Sequence, residues 1–150
     1  MDTLDPRQAA FAGVLLLANR MQTHFDGQLD HLTLKQWLAL VVIARLPQPV
    51  ASTAQVTAVL GTSHQNVTKL LAALSDKGFI ELTPSPVDRR ARQVTLTETA
   101  HQYFADHEGL GDRLLGELFT DVDPDDLEAC LRVLAGMSAA LTAAPLFPPE

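Results

Sequence analysis

The sequence has a single cysteine and no excess of glycine or proline, and these features exclude several classes of protein. One cysteine among 150 residues cannot form a disulfide framework or a cysteine-based zinc cage. Eight glycines and nine prolines are too few for a collagen-like repeat, and 47% apolar residues are too many for a disordered chain. We therefore expect one globular domain in a reducing compartment.

Long apolar runs are also missing. The longest covers residues 9–18, whereas a membrane-spanning helix needs about 20 apolar residues. Asp2 and Asp5 stand where a secretory signal would carry basic residues, and no cleavage pattern of small residues follows. The sequence predicts a cytoplasmic protein without a membrane segment.

The charge is acidic overall but unevenly distributed. The formal net charge is −7, from 11 Lys+Arg and 18 Asp+Glu. Between residues 62 and 93, five basic residues outnumber three acidic ones, so this window carries +2 and the remainder carries −9. A basic segment within an acidic protein favours a module that binds nucleic acid.

Hydrophobic periodicity and capping signals predict a mainly helical first half. Apolar residues recur every three or four positions from Phe11 to Leu29, and they cover more than one side of the helix, which favours burial against a partner chain. A capping box at Thr33 predicts a second helix through about Leu46. Two short helices follow on either side of a turn at Gly61, which together predict a helix-turn-helix.

The next segment predicts a β-hairpin. Residues 79–82 and 93–96 alternate apolar and polar side chains, and a proline-bearing, basic loop connects them. Such a ribbon directly after a helix-turn-helix is a wing. Beyond it, Thr97 predicts a helix to about Phe119, loosened at its glycines, and Asp123 begins a last helix. The expected fold class is mainly α with a small β-wing.

Two segments carry a family resemblance. Residues 88–98 read DRRARQVTLTE, and residues 66–80 read NVTKLLAALSDKGFI. The first closely resembles the wing signature of the MarR family of bacterial transcriptional regulators, with its D-x-R and V-x-L-T elements. The second is similar to that family's recognition helix and its exit. Ala100 stands where the family commonly has glycine, but alanine is compatible with a helix start.

The resemblance extends over essentially the whole chain and implies its organisation. It implies one domain over residues 1–150, with a winged helix-turn-helix at about 33–97 and dimerisation helices at about 6–31 and 98–144. It also implies a homodimeric repressor that binds double-stranded DNA at a palindromic operator, with activation as the alternative output. No phosphate loop, nucleophile elbow or zinc-protease motif is present, so we expect neither an enzyme nor a cofactor.

Two groups of residues are predicted to contact DNA. The recognition helix presents Gln65, Thr68 and Lys69 opposite its apolar side, and Ser63, His64 and Asn66 at its N-terminal end. The wing contributes Asp88, Arg89, Arg90 and Arg92. Amides and cations of these types can pair with base edges or phosphates. By the resemblance, Arg90 enters the minor groove and Asp88 orients the loop by pairing with a nearby arginine.

Two alternatives to this DNA-binding interpretation are open. The polar helix face and the charged loop are also compatible with an ordinary solvated surface carrying a weak ion pair. A winged helix can also bind protein instead of DNA. Salt dependence separates DNA binding from protein binding, because phosphate contacts release counterions.

The family often responds to a small aromatic or phenolic ligand, which implies a pocket between the dimerisation helices and the winged module. The candidates by sequence position are Met21, His24, Phe25 and Trp37. The alternative is that they are core or interface residues, since such side chains at helical spacing normally pack.

Sensing by a thiol or a metal is a further alternative within the same family. Cys130 lies among leucines on the apolar side of the last helix, so we expect a buried, unreactive thiol. His101 and His107 are six residues apart, which does not place them on one helix face, and we expect no metal site.

Overall fold

A computed structural model describes residues 5–146 of the chain. The elements in order are α1 (Pro6–Phe25), α2 (Leu34–Arg45), α3 (Thr53–Leu60), α4 (His64–Asp76), β1 (Ile80–Pro84), β2 (Arg92–Leu96), α5 (Glu98–Asp106), α6 (Leu110–Leu118) and α7 (Pro124–Leu141). The ends of the predicted domain, residues 1–4 with Asp2 and residues 147–150, lie outside the described part. The mainly helical class with a two-stranded wing is confirmed.

Local capping determines where the central helices begin. Thr33 and Gln36 form the predicted capping box at the start of α2, with both N–H···O distances at 3.2 Å. Ser63 caps α4, because its Oγ accepts from the Asn66 N–H at 3.2 Å. Gly61 adopts φ +63°, a left-handed conformation that ends α3 and forms the turn.

The core lies within the helix-turn-helix and its hairpin. α2 packs on α3 and α4, and α4 packs on β1. The fully buried side chains at this centre include Leu40, Ile43, Val56, Leu74 and Val94. Burial on this scale explains why the module holds its shape without a disulfide.

The wing is a regular antiparallel hairpin. Ile80 pairs with Leu96 and Pro84 with Arg92, so each strand is longer at the loop end than the alternation predicts. Phe79 is not part of β1, because its N–H donates to the Leu74 carbonyl and completes the exit from α4. The hairpin is therefore anchored directly to the recognition helix.

Two predicted helices differ from the structure in their ends. α1 stops at Phe25 and not at Leu29, because a turn follows in which Asp30 and His31 have φ of 38° and 63°. Leu29 still enters the core from this turn. The predicted helix from Thr97 is divided into α5 and α6, because Gly109 adopts φ +80°.

The helices at the two ends of the chain leave much apolar surface uncovered. On α1, Phe11 is 64% exposed and the only buried residue is Phe25. The described residues of α7 include no buried side chain. The expectation of a buried thiol is therefore wrong for the single chain: Cys130 is exposed, because α7 is not packed into the core.

The described part of the chain contains no helix that is both long enough and apolar enough to cross a membrane.

Tyr103 connects α5 to the turn after α1. Its hydroxyl donates to the Leu29 carbonyl at 2.9 Å, and its ring stacks on His107 at 4.2 Å between centroids. Burial, with a smaller contribution from the Asp30 carboxylate, raises the pKa of Tyr103 above the ordinary 10.0. The neutral phenol is thus favoured in the folded state, so its stabilising effect is complete below pH 10 and is lost as pH rises above it.

We expect Tyr103→Phe to lower the free energy of unfolding by about 1 kcal/mol at neutral pH, because the Leu29 carbonyl loses its donor. Above pH 10 the wild type will lose stability more steeply than the variant. Since Tyr103 is the single tyrosine, tyrosinate absorbance reports it alone. The same titration midpoint in native and urea-unfolded protein would contradict this assignment.

Candidate nucleic-acid interface

The recognition helix α4 separates a buried side from a polar exposed side. Val67, Leu71 and Leu74 are buried, as the periodicity predicts. All six side chains predicted to contact DNA from this region are exposed: Ser63, His64, Gln65, Asn66, Thr68 and Lys69. The helix therefore presents a continuous polar surface over its first two turns, where it is not covered by the rest of the chain.

Local hydrogen bonds divide these six residues into engaged and available groups. Ser63 caps the helix, the Asn66 amide donates to Thr62 Oγ1 at 3.0 Å, and Thr68 Oγ1 donates to the His64 carbonyl at 2.9 Å. The side chains of His64, Gln65 and Lys69 form no such local bond within residues 5–146. A glutamine amide can make a bidentate pair with adenine, and a lysine can reach guanine or phosphate.

The wing loop is held by a hydrogen-bond network around Ser85. Ser85 is buried, and its Oγ accepts from the N–H groups of Val87 and Asp88 at 3.3 and 3.4 Å. Its own N–H donates to the Ala91 carbonyl at 2.9 Å, which closes the loop across its base. Ser85 was not among the residues predicted from the sequence, although a serine between two prolines is a recognisable turn signal.

Asp88 orients the loop in a different way from the predicted ion pair. Its Oδ1 accepts from the backbone N–H of Arg90 at 2.9 Å, and its carbonyl accepts from the Ala91 N–H at 3.0 Å. No ion pair of Asp88 with an arginine side chain is present in the part of the chain described. A short carboxylate bonds readily to the backbone two residues ahead, and this leaves the guanidinium groups unneutralised.

The three wing arginines are presented to solvent. Arg89 and Arg90 lie on the loop itself, whereas Arg92 is the first residue of β2. Each is exposed, and within residues 5–146 none has a carboxylate partner at ion-pair distance. Val87 at the same tip is 95% exposed. Two uncompensated cations on a narrow loop and a third at its base form a local positive potential suited to a DNA groove.

The four residues predicted to line a ligand pocket lie at the contact between α1 and α2. Phe25 is buried in the core, and Met21 and Trp37 pack partly buried against it. His24 is exposed and meets the Phe25 ring edge-on at 4.9 Å between centroids. Phe25, Met21 and Trp37 therefore pack as core residues, which is the alternative to a ligand pocket. Ligand binding by these residues stays a prediction.

The histidines do not converge on a metal site in the described residues. Nδ1 of His107 donates to the Tyr103 carbonyl at 2.8 Å, and its Nε2 lies 3.4 Å from Asp30. His101 is exposed and separate from this contact. No group of three metal-binding side chains occurs among residues 5–146.

Lys77 connects the end of α4 to the start of α2 through contacts that no local pattern in the sequence predicts. Its ammonium donates to Gln36 Oε1 at 2.7 Å and to the His31 carbonyl. These partners lie more than 40 positions earlier in the chain. These bonds therefore couple the position of the recognition helix to the turn that follows α1.

Comparison with known proteins supports the same type of module. Residues 32–91 match the family model described as MarR family. This match covers α2, α3, α4, β1 and the wing loop.

Solved structures share the fold over most of the chain. A MarR/EmrR family transcriptional regulator from Acinetobacter sp. ADP1 is 16% identical with a TM-score of 0.76, covering 92% of this chain and 98% of its own. PcaV from Streptomyces coelicolor, solved with its natural ligand, is 13% identical with a TM-score of 0.79, covering 95% and 100%. MepR from S. aureus, solved with DNA, is 18% identical with a TM-score of 0.76, covering 86% and 95%.

Proposed function

We propose that this chain is a transcriptional regulator of the MarR type and, more specifically, a cytoplasmic homodimeric repressor. It binds a palindromic operator in double-stranded DNA through α4 and the wing, and a small-molecule ligand releases it. The predicted domain organisation is part of this proposal: residues of about 33–97 bind DNA, and the helices at about 6–31 and 98–144 form the dimer.

The observation that carries the proposal is the wing. A buried serine and a backbone-bonded aspartate hold the loop in one shape, and the three arginines extend from it without acidic partners. A cluster of like charges costs free energy in the isolated protein, so its place on a rigid hairpin is best explained by an anionic partner. The narrow minor groove attracts arginine most strongly.

The uncovered apolar surface supports the dimer. The chain exposes 10821 Å², whereas a compact monomer of 16.3 kDa exposes about 7,500 Å². The excess is enough to supply one protomer's share of an obligate homodimer interface, which buries about 2,000–5,000 Å² in total. Large apolar side chains are exposed along α1, α6 with its C-cap, and α7: Phe11, Val14, Leu15, Leu16, Leu17, Leu115, Leu118, Phe119, Leu131, Val133 and Leu141.

A two-fold dimer explains how such a small module could select a site. Its two recognition helices would enter successive major grooves about 34 Å apart, and the operator would share the two-fold symmetry of the protein. MepR was solved with DNA and PcaV with its natural ligand. These relatives support DNA as the partner here and a ligand as the signal.

The proposal is tested by fluorescence anisotropy of labelled DNA from upstream of the chain's own gene, against a scrambled duplex, across a salt series. We expect tight binding to one fragment that weakens steeply with salt, because phosphate contacts release counterions. A protein-binding winged helix would show no salt-sensitive DNA binding. A genome-wide selection for bound fragments follows if the first fragment is not the operator.

Gln65 is expected to read sequence. Its exposed amide, with no local side-chain bond, can pair bidentately with a base, so Gln65→Ala will cost about 1–3 kcal/mol on the selected operator. Binding to scrambled DNA will change little. Equal losses on both duplexes, measured by the same anisotropy titration, would show that Gln65 does not contribute to selectivity. Ala72→Ser, further along the same exposed face, is the matched control.

A further inference from the structure

The tip of the wing carries an apolar side chain beside its arginines. Val87 is 95% exposed, the largest exposed fraction among the large apolar side chains of residues 5–146. It lies in the loop between β1 and β2, away from the helices whose exposed apolar side chains are assigned to the dimer. Its isopropyl group therefore adds nothing to the burial that stabilises the fold.

The backbone around Val87 is fixed although the side chain is free. The N–H groups of Val87 and Asp88 donate to the Oγ of the buried Ser85 at 3.3 and 3.4 Å. Pro86 precedes Val87, and its ring restricts the backbone further. A β-branched side chain also has few rotamers. The isopropyl group is thus presented in one direction, so little conformational entropy is lost when it meets a partner surface.

The neighbouring arginines determine which surface Val87 meets. Arg89 and Arg90 follow it in the same loop, both exposed and without a carboxylate partner among residues 5–146. Three residues of chain span at most about 10 Å, so a surface that receives Arg90 also comes within reach of Val87. Under the proposed function this surface is the minor groove of DNA. Proteins that bind there insert apolar side chains between base steps and partly unstack them.

We propose that Val87 is a specificity-determining residue, whose isopropyl group wedges against one base step in the minor groove and selects a step that opens easily. The inference rests on the proposed function and deepens it. Arginine favours A·T over G·C because the minor groove of A·T sequences is narrow and electronegative. A wedge favours TA over AA, because TA steps unstack easily whereas A-tracts are stiff. The contributions of Arg90 and Val87 are therefore separable by DNA sequence.

The first experiment compares TA with AA at each A·T step of the operator half-site in turn, by anisotropy titration of the whole protein. At one step the wild type is expected to bind the TA duplex about tenfold more tightly than the AA duplex. Val87→Ala removes the wedge, and the ratio there will fall to about one. Val87→Thr, which has nearly the same shape but a hydroxyl, will behave like Val87→Ala, whereas Val87→Ile will keep the preference.

The three variants also serve as controls for the fold and for Arg90. Because the side chain is exposed, all three are expected to unfold at the same urea concentration as the wild type. Each will keep the wild-type preference for A·T over G·C, since the arginines are unchanged. A general loss of affinity without a change in the TA-to-AA ratio would assign Val87 a structural role and overturn the wedge.

The second measurement is the fluorescence of 2-aminopurine placed at the adenine of the selected step. Stacking quenches this base, so the wild type is expected to raise its fluorescence and Val87→Ala to leave it nearly unchanged. Equal TA-to-AA ratios in the wild type and Val87→Ala, a wild-type ratio retained by Val87→Thr, or no rise in fluorescence overturns this inference alone. A wild type that binds none of the duplexes overturns the proposed function and this inference with it.

Discussion

Replacing Phe11 by aspartate is expected to convert the protein into a monomer. Phe11 is 64% exposed on α1 in the single chain, and in a two-fold interface each substitution occurs twice. A carboxylate buried there without a partner costs about 3–5 kcal/mol, so the dimer will weaken by more than about 1,000-fold. Analytical ultracentrifugation across a protein dilution series measures the change directly.

Loss of the dimer will also remove operator selectivity. One winged module contacts only one half-site, so the Phe11→Asp variant will bind the operator more than about 100-fold more weakly while its helical circular dichroism stays unchanged. Ala9→Asp is the matched control: it introduces the same charge on the opposite side of α1. A Phe11→Asp protein that remains dimeric at micromolar concentration would place the dimer interface away from α1.

Arg90→Ala is expected to give the second largest effect, a loss of about 100-fold or more in operator affinity. The Asp88 carboxylate bonds to the Arg90 backbone, so the guanidinium is not neutralised by it and is available to DNA. A hydrogen bond that involves a charged group contributes about 1.5–3 kcal/mol, and the dimer presents two wings. Anisotropy titration at fixed salt measures the loss, and the slope of affinity against salt will decrease.

The control for the wing is Arg20→Ala, which removes one exposed positive charge from α1. It is expected to leave operator affinity nearly unchanged and so to separate a groove contact from an effect of net charge. Arg90→Ala should stay dimeric, because the wing is separate in sequence from the terminal helices. A monomeric Arg90→Ala protein, or equal losses in both variants, would contradict the role given to the wing tip.

Local features of this protein follow from the sequence because each depends on residues a few positions apart. The capping box at Thr33, the left-handed turn at Gly61 and the polar face of α4 all depend on such contacts. The antiparallel wing belongs to the same group, since its two strands are adjacent in the chain. These features define the winged helix-turn-helix, which is why the MarR resemblance could be identified without a structure.

Contacts between distant residues could not be inferred in this way. Lys77 binds Gln36, and Tyr103 binds Leu29, across 41 and 74 positions. Lys35 and Lys69, on different helices, line one groove because α2 packs on α4. No periodicity in either helix alone indicates that the two lysines line one space.

The terminal helices show most clearly what the sequence pattern could not determine about burial. The apolar stripe around Cys130 predicts burial, yet α7 has no buried side chain among its described residues and the thiol is exposed. Periodicity identifies a side that favours burial but not whether its own chain or a second one covers it. The sequence by itself determined most of the helices, the wing and the polar side chains exposed on α4 and the wing loop, because those depend on local geometry. Only the tertiary structure decided how the wing is braced, where the groove lies and which apolar surfaces remain open, because those depend on packing between segments far apart in the chain.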